Sequence, residues 1–166
     1  MDKLLPLAEK AAALLKARNQ TIAVAESSAG GLINAALLSF PGASAYCKGG
    51  MVMYTRDALL GLRDVTPDML QSVRGGTEAN ALFRARTIRE RLNADWGLSE
   101  SGVAGPTGSR YGYAPGHCVL AVAGGMEKSM TLETASPDRI ANMRMFGQTA
   151  LKLLIECLEQ TLPPPQ

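Results

Sequence analysis

Three short stretches hold residues whose types and spacing suit chemistry. The first is Ala25-Glu26-Ser27-Ser28-Ala29-Gly30-Gly31, hydroxyls and glycines between an apolar run and a helical pattern. The first N–H groups of a helix have no partner inside it, so such a turn can hold an anion, and Gly30 and Gly31 let a ligand approach closely. No lysine follows the glycines and the spacing is not G-x-G-x-x-G, so neither nucleotide fingerprint applies. Equally, Ser28 can simply cap the helix while the glycines allow close packing. The second stretch, Gly102-Val103-Ala104-Gly105-Pro106-Thr107-Gly108, follows a strand, where open α/β sheets bind ligands, and belongs to a long loop. The third is Ser44, behind Pro41-Gly42, a cap or a nucleophile. Lys48 lies four residues on, and a helical turn would bring both to one side. A desolvated, neutral lysine can activate a serine, although an exposed lysine is the ordinary alternative. His117 is the single histidine and opens a strand expected to be buried. It reads as a strand histidine rather than a triad member.

The elements that must position these residues follow from apolar period and turn chemistry. Leu4–Arg18 has helical spacing, Thr21–Ala25 reads as a buried strand, and a helix spans 32–38. Residues 43–47 suit one helical turn and 50–54 a second strand. Short helices are expected over 56–62 and from Thr66-Pro67-Asp68, and Thr77 caps a longer one through Leu92. Strands are expected at 96–101, 117–123 and 128–133, with a loop over 102–116, and Ser136-Pro137-Asp138 opens a last helix to Leu162. Strands alternating with helices, then a late hairpin, imply a three-layer α/β/α sandwich with a mixed sheet.

Composition narrows the function. A length of 166 residues fits a single domain over 1–166, and 46% hydrophobic residues suffice for a core. A net charge of +2 without basic clusters, and few aromatics, argue against a nucleic-acid partner. The three cysteines are widely spaced and form neither a disulfide framework nor a zinc motif. No apolar run reaches the ~18 residues of a membrane span, and the N-terminus lacks a signal-peptide core. A cytoplasmic location is therefore expected. The last helix carries Ile140, Met143, Met145, Phe146, Leu151, Leu153, Leu154 and Ile155, more apolar positions than one stripe needs, which predicts a homo-oligomer.

Together the runs Ala25–Gly31, Pro41-Gly-Ala-Ser-Ala45, Gly50-Met-Val-Met-Tyr-Thr55 and Ser101–Gly108, with Pro115-Gly116 heading a strand, resemble the CinA C-terminal domain family over nearly the whole chain. That family includes stand-alone nicotinamide-nucleotide amidases. The resemblance implies a three-layer α/β/α sandwich and a metal-independent serine amidase without cofactor. Such an enzyme converts nicotinamide mononucleotide to nicotinic acid mononucleotide and ammonia. Carried over by position, Ser44 would be the nucleophile, Tyr54 its supporting tyrosine and Ser101 the hydroxyl before the second glycine loop. Glu26, Ser27, Ser28, Gly30, Gly31, Arg56, Gly105, Thr107 and Gly108 would contact the pyridine nucleotide. The sequence departs from the pattern at Leu59, where the family's catalytic lysine belongs, and at Ser28 and Ala29. Leucine accepts no proton, and general-base help is worth roughly 10²–10⁴ in rate. Arg56 stays protonated, so it can hold a phosphate but cannot act as a base, which leaves Lys48 as the substitute from this segment. Three readings stay open: an amidase with a substituted base, a catalytically silent relative that binds a nucleotide or a partner, or a related hydrolase acting on a different amide or ester, its pocket reshaped at Ser28 and Ala29.

Overall fold

The structure, a computed structural model, describes residues 1–61, 65–72 and 74–161. The helices are α1 (Leu5–Ala17), α2 (Leu32–Leu38), α3 (Arg56–Leu60), α4 (Pro67–Ser72), α5 (Glu78–Arg91) and α6 (Arg139–Gln160). The strands are β1 (Ile22–Glu26), β2 (Cys47–Val52), β3 (Trp96–Gly102), β4 (His117–Ala123) and β5 (Glu127–Glu133). They form one sheet in the order β2-β1-β3-β4-β5. β1 runs parallel to both neighbours, and β4 and β5 add antiparallel. The result is the expected three-layer sandwich on a mixed sheet.

Alternation along β1 makes the two layers. Ile22 and Val24 face a core built with α1, α2 and α6, which also takes Leu98 of β3 and Leu120 of β4. Ala23 and Ala25 face the other way, toward Met53, Leu59 and Ile88. Next to them, Ala81 and Ala85 of α5 pack on Val119, Ala121 and Ala123 of β4. Small residues on both surfaces bring α5 close to the sheet. At Gly97 a Cβ would lie 2.0 Å from the Ala85 carbonyl oxygen.

Several boundaries move from their expected places. The second strand is Cys47–Val52 rather than 50–54. Its register is set by pairing with β1, from Ile22 opposite Cys47 to Glu26 opposite Val52. Gly50 does not break it; a Cβ there would strike the Val24 carbonyl oxygen and the Asn34 amide, so the glycine admits α2. The turn before it is a short 3-10 segment, Ala43–Ala45, and Lys48 already belongs to the strand. Ser44 and Lys48 therefore do not share a helical face, which corrects the expected juxtaposition. α6 starts at Arg139 with Asp138 as its cap, whose side chain accepts from Ala141 N–H. The expected ends at Leu62 and Leu162 lie outside the described residues. The apolar surplus of α6 is largely used within the chain, since Phe146, Leu151, Leu153, Leu154 and Ile155 are buried in the first core. Ile140 and Met145 remain exposed. Among the described residues no helix is long and apolar enough to cross a membrane.

Candidate functional site

The parallel strands β1, β2 and β3 end at the same edge of the sheet, where α2 leaves β1 toward one layer and α5 lies in the other. Such a switch point opens a crevice beyond the strand ends. Here it is a cleft of about 460 Å³, a size that suits a small molecule.

The floor is built by the turn after β1, and two buried carboxyl groups shape that turn. Glu26 accepts from the N–H groups of Gly31 (2.9 Å), Ile33 (3.1 Å) and Asn34 (2.7 Å), and from Asn34 Nδ2 (2.7 Å). It therefore caps α2 from within. The expectation that Gly30 and Gly31 offer free N–H groups to a ligand is corrected: Gly31 N–H donates to Glu26, and Gly30 N–H donates to the Ser27 carbonyl. Neither glycine, nor Glu26 itself, lines the cleft. Their positive φ values, +68° and +97°, explain why glycine stands there.

Glu100, on β3, holds the same turn from below. It accepts from Ser27 N–H (3.0 Å), Ala29 N–H (2.8 Å) and the Ser28 hydroxyl. Burial pushes its carboxyl above the ordinary carboxylate range, and the bonds from Ser28, Ala29 and Ser27 oppose that rise. An acid whose folded pKa is raised stabilises the fold fully below its unfolded pKa. That contribution is lost as pH rises through the folded value. Relative to Glu100→Gln, the parent is thus expected to lose stability from about pH 5 upward. Urea midpoints of both proteins between about pH 5 and pH 8 check this. Equal slopes would mean that Glu100 titrates as it does in the unfolded chain.

The far wall is the loop after β3, and it is tied down throughout. Val103 N–H donates to the His117 carbonyl (2.7 Å) and Gly116 N–H to Val103 (2.8 Å). Asn142 Nδ2 donates to the Ala104 carbonyl at 2.9 Å, and Arg139 Nη1 to that of Gly105 at 2.8 Å. Gly105 has φ +98°, and a Cβ there would meet the Pro137 carbonyl oxygen at 2.7 Å. The loop presents Gly105, Thr107 and Gly108 to the cleft.

Of the residues singled out from the sequence, Ser27, Ser28, Tyr54, Arg56, Ser101, Gly105, Thr107 and Gly108 line one cleft. Ser44 and Lys48 do not. Both are exposed at the start of β2, whereas Tyr54 follows its end. The length of that strand puts Ser44 roughly 20 Å from the cleft within one chain. Leu59 also lines the cleft; it is 8% exposed and packs on Met53, Ala23, Ala25 and Ile88, so the position of the family lysine is apolar floor.

The sequence reading missed the other walls. His117 is not only a strand residue: it borders the cleft, its Nδ1 lies 2.5 Å from Glu133 Oε1, and its Nε2 lies 2.8 Å from the Gly76 carbonyl. Its ring stacks on Tyr113 at 4.0 Å. Arg84 and Asn80 enter from α5, and Arg139 from α6, where its Nη2 donates to the Tyr54 hydroxyl at 2.9 Å. One signal was available. Arg84 falls on the buried stripe Asn80, Ala81, Arg84, Ala85, Ile88, and a charge in such a stripe marks a special environment. With Arg56 and Arg110 the cleft presents four arginines, and among the described residues no aspartate or glutamate lines it.

A family model of the CinA C-terminal domain matches residues 4–158. The chain belongs to the CinA C-terminal domain family. A CinA-like protein of Gloeobacter violaceus is 37% identical over 150 residues, 89% of this chain and 35% of that protein. The chain thus spans about a third or less of the length of the curated relatives it matches most strongly. Among solved structures, the competence damage-inducible protein A of Klebsiella pneumoniae superposes with a TM-score of 0.88 at 26% identity, covering 96% of this chain and 99% of that one. The competence/damage inducible protein CihA of Agrobacterium tumefaciens gives 0.85 at 28%, covering 95% and 96%.

Proposed function

We propose that this chain binds an anionic small molecule of the pyridine-nucleotide class in the cleft and lacks the serine–lysine amidase reaction that its resemblance implies. The observation that carries this reading is the charge of the cleft, four arginines with no lining carboxylate among the described residues. Such a cleft focuses positive potential on a phosphate-bearing ligand. The tyrosines and the His117 ring supply flat surfaces for a heterocycle. Against hydrolysis stand Leu59, which cannot take a proton, and the position of Ser44 and Lys48 at the other end of β2.

One observation favours a second reading. Tyr54 and Ser101, two of the three positions carried over from the amidases, do line the cleft. Hydrolysis would then require a second copy of the chain to bring its own Ser44 to this mouth. A homo-oligomer is part of that reading, and the exposed Val52, Tyr54 and Ile140 offer apolar surface for it.

Calorimetry and ammonia release with nicotinamide mononucleotide separate the two. The expected result is binding in the range of ~1 μM to ~1 mM, weakened by salt, with no ammonia above background. Ammonia release that disappears in Ser44→Ala would replace this reading with the hydrolytic one. No heat with any pyridine nucleotide would end the nucleotide reading. Activity appearing only in Leu59→Lys would mean an intact pocket that lacks a base.

A further inference from the structure

The four cleft arginines are not equivalent. Arg56 and Arg110 are exposed, and Arg139 has partners in Gly105 and Tyr54. Arg84 is only 9% exposed. Its Nε donates to Asn80 Oδ1 at 3.1 Å, while Nη1 is enclosed and has no hydrogen-bond partner among the described residues. Arg84 borders the cleft and also, with Leu59, the small apolar pocket beneath it. Glu100 is near enough to interact electrostatically, yet its oxygens already accept from Ser27, Ser28 and Ala29, and none accepts from Arg84. Burial pulls the guanidinium below its ordinary pKa, with Glu100 and Tyr111 acting against that.

A buried cation with an unmet donor is costly by itself and marks a place where a partner is missing. The planar fork of a guanidinium matches the paired oxygens of a carboxylate or phosphate. We propose that Arg84 is the inner anchor of the cleft, holding an oxyanion group, a carboxylate or a phosphate, of a small-molecule ligand. The inference rests on reading this cleft as the ligand site. It adds a selection rule: a ligand that carries a charged oxyanion at its inner end binds better than the same ligand with a neutral amide there.

Nicotinate and nicotinamide are a matched carboxylate and carboxamide, and calorimetry on the intact chain compares them. The parent is expected to bind nicotinate about tenfold or more tightly than nicotinamide. Inorganic phosphate should compete with nicotinate if the anchor takes either oxyanion, and fail to compete if it takes carboxylates alone. Arg84→Met should bring the ratio close to one, and Arg84→Lys should keep part of it. Arg84→Met/Glu100→Gln removes both buried charges together, and serves if the single variant does not fold. A purely charge-balancing Arg84 would leave the nicotinate preference unchanged in these variants. That result, or a parent that binds neither nicotinate nor inorganic phosphate at millimolar concentration, overturns the proposal. A parent that prefers nicotinate through Arg84 yet binds no nicotinamide mononucleotide keeps the anchor and removes only the nucleotide reading.

Discussion

Gly97→Val is expected to leave no cooperatively folded protein at 25 °C. Position 97 lies within β3 at the contact with α5, and a Cβ there would sit 2.0 Å from the Ala85 carbonyl oxygen, 2.9 Å from its carbon and 2.9 Å from Arg89 Cβ. Two of these three atoms belong to the backbone of a helix, so no rotamer change relieves the clash. Helix α5 would have to lift away, and Ala81 and Ala85 would lose their seat on β4. Overpacking a well-filled core costs about 1–3 kcal/mol when side chains can yield, and more when they cannot. A domain holds only about 5–15 kcal/mol in total. Gly97→Ala is the measurable step: a loss of about 3 kcal/mol, read from urea unfolding followed by the fluorescence of the single, fully buried Trp96. A loss under about 0.5 kcal/mol would mean that α5 does not sit this close to the sheet. The consequence reaches the cleft, because the same helix carries Asn80 and Arg84 into its wall.

The layers were legible in the sequence because local patterns decide them. The run Ile22–Ala25 is apolar without alternation, as a strand covered on both faces must be, and all of β1, Glu26 included, is buried. Thr77 caps α5 as its type and position suggest, its hydroxyl accepting from Asn80 N–H. The start of β2 was not legible. The expected start at Gly50 leaves residues 47–49 outside the strand, and only the neighbouring β1 and the Asn34 side chain show why glycine is needed inside it. The half of the cleft after β1 and β3 follows from its glycine turns. The other half comes from residues distant in sequence: Arg84 is recognisable only as a charge in an apolar stripe, and His117 only once β4 lies beside β3. The separation of Ser44 from Tyr54 is likewise a property of strand direction, which the nine intervening residues do not reveal until residues 47–52 are seen to be extended.

Glu26 supplies the second large expected effect. Read from the sequence alone, an acidic residue beside two serines and two glycines looks like a ligand contact; in the fold it is fully buried and accepts four hydrogen bonds. Three of the donors are N–H groups at the start of α2, which no other acceptor among the described residues satisfies. No cap side chain assists at Gly31. Glu26→Ala would leave these donors buried and unpaired, at a cost of about 1–3 kcal/mol for each donor that water cannot reach. A net loss near 4 kcal/mol is expected, since part of the turn can relax toward solvent. Glu26→Gln keeps one acceptor oxygen but turns an amide NH₂ toward the remaining donors, so it should retain less than half of the lost stability. Urea unfolding gives both values. Hydrogen exchange at Ile33 and Asn34 locates the effect, because fast exchange there with a protected β1 means that α2 has frayed from its first turn. Unchanged exchange at these amides in Glu26→Ala would mean that α2 is capped by something else. Ligand affinity gives a further reading, because Glu26 touches the turn and not the cleft. If the turn is the floor on which an anion rests, affinity should fall in step with the fraying of α2, even though the residue removed never meets the ligand.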